Sequence, residues 1–242
     1  MSRPPLVRLT LLELRKAADT RAGGWLLATV GALTVAVVGV RLAAGGTAAR
    51  TLGSLVADAQ LPVSVLLPVV GLLSVTGEWS QRTVLTTFGL VPARGRVVAA
   101  KLLAASLLAV AATAVAVAAG AVGFAVGGTA GGGHLSATVV AQLALVNWVT
   151  MLCGTAFGLL LLHSAPAVVA YYVVPLGWSV AGRLVPALQS AARWLDVGQA
   201  RVPLVAPGVT GQEWARFGTS ALLWVAVPAV LGVLRVRRAE VT

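Results

Sequence analysis

Six apolar stretches of roughly bilayer length leave this chain few ways to fold. A helix needs about 20 mainly apolar residues to cross the hydrocarbon layer, where every backbone N–H and C=O must find its partner inside the protein. The stretches cover 24–40, 57–76, 102–126, 137–162, 167–181 and 215–234. The expected fold class is all-α, a polytopic membrane protein with six transmembrane helices in one domain over 1–242. Pro175 interrupts the short fifth stretch, and Pro62 and Pro68 lie in the second. Prolines are tolerated in lipid because neighbouring helices satisfy the freed carbonyls. A cleaved signal peptide is the other reading of the first stretch. Its long basic lead and weak cleavage context favour an uncleaved helix.

Charge supports the same reading. Only 10% of residues are charged, where a soluble domain carries about 25%, so the chain lacks the polar surface to cover itself in water. The 18 Lys+Arg exceed the 7 Asp+Glu to give +11. In a soluble protein this excess would suggest nucleic acid. Between membrane-length runs it speaks for topology and anionic headgroups, and no nucleic-acid partner is expected. With the N-terminus inside, twelve basic residues fall on the cytoplasmic side, among them Arg3, Arg82 and Arg238, and six fall outside. The expectation is a multi-pass protein of the bacterial plasma membrane with both termini cytoplasmic. Richness in Arg, Ala, Val and Gly fits a GC-rich genome and says nothing about function. The lone Cys153 makes no internal disulfide and no metal cage.

Three segments outside the stretches carry pattern. Over 6–21, Val7, Leu11, Leu14 and Ala18 form an apolar stripe with Arg8, Arg15 and Asp19 facing away, as in an amphipathic helix lying in the cytoplasmic interface; a frayed basic leader is the alternative. The expected cytoplasmic loop 77–100 mixes Glu78, Trp79, Arg82, Arg94 and Arg96 around Pro92, which suits a docking surface, against a solvated topogenic loop. Over 182–212, expected outside, Leu184, Leu188, Ala191 and Leu195 recur at helical spacing. A short helix there would be interfacial or shallowly re-entrant, and an ordinary loop is the alternative.

Familiar catalytic patterns are missing. The chain has no Gly-x-x-x-x-Gly-Lys-Ser/Thr phosphate loop, no His-Glu-x-x-His pair and no Gly-x-Ser-x-Gly elbow. His163 and Ser164 are adjacent, and adjacent residues on a turn rarely meet as base and nucleophile. No catalytic residue, cofactor site or metal site is expected, and the chain by itself is not expected to be an enzyme. The interiors of the stretches also lack ionisable residues, with Asp58 and Glu78 at opposite ends of the second; Asn147 and Gln142 are the strongly polar residues deep in the fourth. Ion-coupled carriers usually need intramembrane carboxylates, so transport here would draw its energy elsewhere.

The six-span plan with an amphipathic lead-in resembles the permease subunits of type-2 ABC transporters over nearly the whole length. The likeness is more specific after the second span. There Glu78, Trp79, Arg82, Thr83, Pro92, Arg94 and Lys101 stand where that family often shows a Glu, an aromatic, a basic residue, Thr, a Pro with Arg nearby and a Lys opening the third span. The N-terminal Glu13, Arg15 and Lys16, with Asp19 and Arg21, also look typical. The resemblance implies an N-terminal elbow helix containing Glu13, Arg15 and Lys16, an ATPase-coupling surface built from the seven residues after span two, and a short outside helix before the last span. It further implies a separate ABC ATPase that binds ATP and Mg, and a second permease in a homo- or heterodimer. The apolar spans fit export of an amphipathic or lipid-like cargo. A secondary carrier or channel subunit is the alternative, as is a non-transporting membrane anchor whose Gly120, Gly123 and Gly127 are packing faces.

Overall fold

The computed structural model describes residues 5–44, 51–80, 94–127 and 132–238. It is helical throughout, with no strand among the described residues. Helix α1 (Leu6–Asp19) leads into α2 (Arg21–Ala44), α3 (Leu52–Ser80), α4 (Arg94–Val126), α5 (Ala137–Leu161) and α6 (Ser164–Leu184). A chain of short elements follows: a 3₁₀ turn at Pro186–Leu188, α7 (Gln189–Leu195), α8 (Val197–Ala200) and a second 3₁₀ turn at Val202–Val205. The last long helix runs from α9 (Gly211–Ala221) through a π-helical stretch at Leu222–Ala226 into α10 (Val227–Arg238). Six helices are long and apolar enough to cross a membrane: α2 to α6 and the composite Gly211–Val236.

The helices outrun the apolar windows that betray them. The loop expected at 77–100 is helical at both ends, through Ser80 and from Arg94, because a helix does not stop where its hydrophobicity does. Span five runs through Pro175 to a length of 21 residues, so this proline interrupts the hydrogen-bond ladder without ending the helix. Spans four and five are joined by Leu162 and His163 alone. Leu162 sits in the left-handed region at φ 59 and its N–H donates to Gly158 O.

Helices α3 and α5 form the centre, each with 61% of its apolar length buried, against 17% for α2 and 11% for α6. They run parallel and touch backbone to backbone. A Cβ on Gly154 would stand 2.0 Å from Pro68 O, one on Gly71 2.7 Å from Met151 O, and one on Gly158 2.8 Å from Leu72 O. The same device seats α4 on α3, where Gly120 meets Val56, and span six on α5, where Gly232 meets Leu159. Between helices in lipid, small residues take the place of the hydrophobic drive by letting backbones approach. One polar knot crosses this core: Asn147 Nδ2 donates to Gln60 Oε1 and to Thr113 Oγ1, both at 2.9 Å.

Helix α1 has three faces, each roughly a third of its circumference at about 100° per residue. The apolar stripe expected from the sequence is the outward one: Val7 and Leu11 are exposed. A second face of Leu9, Thr10, Glu13 and Ala17 is buried against the bundle, and Arg8, Arg15 and Asp19 are exposed on the third. A single residue, Thr20, separates α1 from α2. The corner needs Gly23, where a Cβ would lie 2.1 Å from Ala17 O.

The close approach of α3 and α5 makes glycine position decisive. Gly154→Ala is expected to lower the unfolding free energy in lipid by about 1–3 kcal/mol. Gly39→Ala, where nothing lies within 4 Å of the added carbon, should stay within about 0.5 kcal/mol of the parent. Equilibrium unfolding by steric trapping measures both, and equal effects would contradict the packing described.

Candidate functional site, a buried ring of ion pairs

The end of the bundle that carries α1 holds an unusual concentration of charge. Glu13 and Lys16 come from α1, Glu78 from the last turns of α3, and Lys101 from the third turn of α4. Lys101 Nζ lies 2.6 Å from Glu13 Oε2 and 3.1 Å from Glu78 Oε1. Lys16 Nζ closes the ring at 2.7 Å from Glu78 Oε1 and 3.0 Å from Glu13 Oε1. Lys101 also donates to Ser74 O at 2.9 Å, so all three of its protons have acceptors. Two carboxylates and two ammonium groups alternate in sign and sum to zero.

Local sequence explains the placement. Glu13 sits on the α1 face that packs inward, with Leu9 and Ala17 one turn to either side. Lys101 interrupts an otherwise apolar run, Val97 to Ala105, at a position that turns into the bundle. Their side chains are 8% and 6% exposed, whereas Lys16 is 44% exposed. The ring is therefore graded, with a dry Glu13–Lys101 pair inside and Lys16 at its rim. Burial alone lowers the Lys16 ammonium pKa, but its hydrogen bond to Glu78 and the charge of Glu13 outweigh this and raise it above the usual 10.5. Its contribution to stability is present below that ordinary value and is lost as pH climbs through the raised one.

The other sequence-marked residues fall around this ring. Trp79 packs with Leu102 and Val233 on a cluster of Val75, Val98, Leu159, Leu162 and Val236, so its ring helps to hold span six. Arg15 is exposed on the polar face of α1. Arg94 opens α4. Arg82, Thr83 and Pro92 lie outside the described residues. Glu78 is engaged by Lys16 and Lys101, which lie on two other helices. His163 Nδ1 lies 3.2 Å from Leu161 O, and Ser164 Oγ is 2.8 Å from Thr76 Oγ1. The two do not pair as base and nucleophile. Among the described residues no group of three His, Cys, Asp or Glu could hold a metal ion.

The ring ties an amphipathic helix to the adjoining ends of spans two and three, which flank residues 81–93 on either side. What the sequence did not reveal is the partnership of Glu13 with Lys101. The legible signal was a lysine within an apolar run and a carboxylate one turn from Leu9, each of which requires an opposite charge once buried.

Removing one member of the ring should cost more than removing two. Lys101→Met leaves Glu13 and Glu78 beside a single half-exposed lysine and is expected to destabilise by about 3–5 kcal/mol. Adding Glu13→Gln should return part of that, with a coupling of about 1–3 kcal/mol in a double-mutant cycle of unfolding in lipid. Lys16→Ala, at the rim, should cost under about 1 kcal/mol. Additive effects would show that the ring is not one unit.

No family model and no curated protein matches this chain.

Proposed function

We propose that this chain is the membrane-spanning permease subunit of a type-2 ABC transporter, exporting an amphipathic or lipid-like substrate with ATP hydrolysed by a separate subunit. In this reading the termini and residues 81–93 face the cytoplasm of a bacterial cell, α1 is the elbow helix in the inner interface, and α7 is the short outside helix before the last span. Two permeases, identical or homologous, would enclose the pathway above two ATPases.

The observation that carries the reading is the ion-pair ring. A partner pressing on α1 or on the segment between α3 and α4 would displace Glu13, Glu78 and Lys101 together, and hence spans two and three as one body. A purely passive anchor has no need of a dry Glu–Lys pair at that junction, since apolar side chains of the same volume would hold it at least as well.

A second reading, a secondary carrier or channel subunit, gains from a different place in the molecule. Asp196 and Arg201, expected outside, line a cavity beside the middles of spans four and six, so the bundle is not free of ionisable groups at depth.

Co-purification under native conditions separates the two. The proposed permease brings down an ATPase bearing a phosphate loop, its hydrolysis in the complex falls severalfold with Lys101→Met, and the isolated chain hydrolyses nothing. Reporter fusions should place Arg21, Gly89 and Thr242 inside and Gly131 outside. Cargo movement in proteoliposomes driven by a proton or sodium gradient alone would favour the carrier.

A further inference from the structure

The short elements after span five descend into the bundle. Spans four and six run parallel: Phe217 packs on Val146 and Val149, Cys153 Sγ donates to Trp224 O at 3.1 Å, and Gly232 meets Leu159. Trp224 stands about 14 Å along its helix from Ala215, where the apolar stretch opens, at 1.5 Å per residue, which is close to the midpoint of a hydrocarbon layer about 30 Å thick. Its indole N–H donates to Leu195 O at 2.7 Å, and Leu204 is wholly buried beside Val146 and Val149. The segment from Leu195 to Leu204 is therefore re-entrant.

Beneath it lies a cavity of about 310 Å³ walled by α3, α5, α6, α8 and span six. Two of its walls are irregular at that level: Pro175 breaks the ladder of α6, and Trp224 and Val225 belong to the π-helical stretch. Irregular backbone at membrane depth is tolerated where it lines a cavity or is buried in protein, and π-stretches gather at functional sites.

The polar groups left over here are donors. Arg201 and Tyr171 both line the cavity. Neither side chain has a hydrogen-bond or ion-pair partner among the described residues. Trp178 Nε1, in the adjoining aromatic cluster with Trp224, is buried without an acceptor. The one carboxylate present is already engaged: Asp196 accepts from Gln199 N at 3.0 Å and from Gln199 Nε2 at 2.9 Å, capping α8. The Tyr172 hydroxyl, Thr150 and Cys153 are likewise satisfied by backbone carbonyls. The rest of the lining is apolar, including Val65, Val149 and Leu176.

We infer that this cavity binds a single-chain amphiphile with an anionic head, held by Arg201 and Tyr171, and an apolar body of on the order of ten methylene-sized groups at about 30 Å³ each. The head supplies the acceptors that Arg201 and the Tyr171 hydroxyl lack, and the chain replaces empty space against Val65, Val149 and Leu176. The inference stands on the cavity alone and survives if the ATPase partnership fails.

The test uses the full chain in phosphatidylcholine nanodiscs, titrated calorimetrically with decanoate and with decyltrimethylammonium against empty discs. Decanoate should bind saturably at one equivalent and at least about tenfold more tightly than the cation, the worth of a charge-assisted hydrogen bond. Arg201→Gln should erase that preference, Tyr171→Phe should weaken decanoate about threefold, and Ser64→Phe, which fills the cavity, should abolish binding. Thermal melting of each variant establishes that it is folded. Extraction and mass spectrometry of the purified chain then distinguishes the source. A resident anionic lipid accompanies the parent and is missing from Arg201→Gln, whereas a dissociable amphiphile binds only when added. Equal affinity for the cation, or parental decanoate affinity in a folded Arg201→Gln protein, overturns the proposal.

Discussion

Everything in this bundle is arranged around the contact between Gly154 and Pro68 O, where α3 and α5 meet without an intervening side chain. Lipid tails are as apolar as leucine, so helices inside a bilayer gain little from hiding hydrophobic surface from one another. What holds them is dispersion at close range, and that requires glycine wherever two backbones cross. Pro68 contributes by shape as much as by rigidity, since its backbone is the surface on which Gly154 rests. Gly71 and Gly158 lie on the same seam, one from each helix, which makes the contact reciprocal. With α3 and α5 fused, α4 and span six have fixed surfaces to pack on, and the Asn147–Gln60–Thr113 knot fixes the register of three helices at once.

The ion-pair ring works on a different principle at one end of the bundle. Dispersion is indifferent to small rotations of a helix, whereas a dry Glu13–Lys101 pair loses several kcal/mol if its partners separate. The seam thus supplies cohesion and the ring supplies position. Lys16, at the rim, shares the charge of both carboxylates with water and so keeps the inner pair neutral overall.

The six spans were legible because an apolar run of bilayer length has few other outcomes, and the amphipathic α1 was legible from its stripe. The use made of that stripe was not. Val7 and Leu11 look outward, and the face that meets the bundle carries Glu13 and Thr10, which a search for hydrophobic periodicity discards. Glu78 could be read as a residue of interest but not as the partner of Lys16 and Lys101, since contacts between separate helices leave no periodic trace. The same limit hid the depth of Asp196 and Arg201. The sequence leaves this segment between a shallowly re-entrant element and an ordinary outside loop, and the packing of Leu204 and the hydrogen bond from Trp224 to Leu195 draw it inward.

The two-residue junction at Leu162 and His163 bears on how the protein enters its membrane. Span five is the least hydrophobic of the six, at a hydropathy of 1.3, and buries the smallest share of its length. A segment of that kind, carrying a proline, partitions weakly from a translocation channel by itself. Span four, more apolar at 1.8, is tethered to it by a turn too short to let one helix cross while the other waits. The left-handed Leu162, with its N–H bonded back to Gly158 O, closes that turn within the chain itself. Spans four and five therefore partition as a helical hairpin, and the weaker helix is carried into lipid by the stronger.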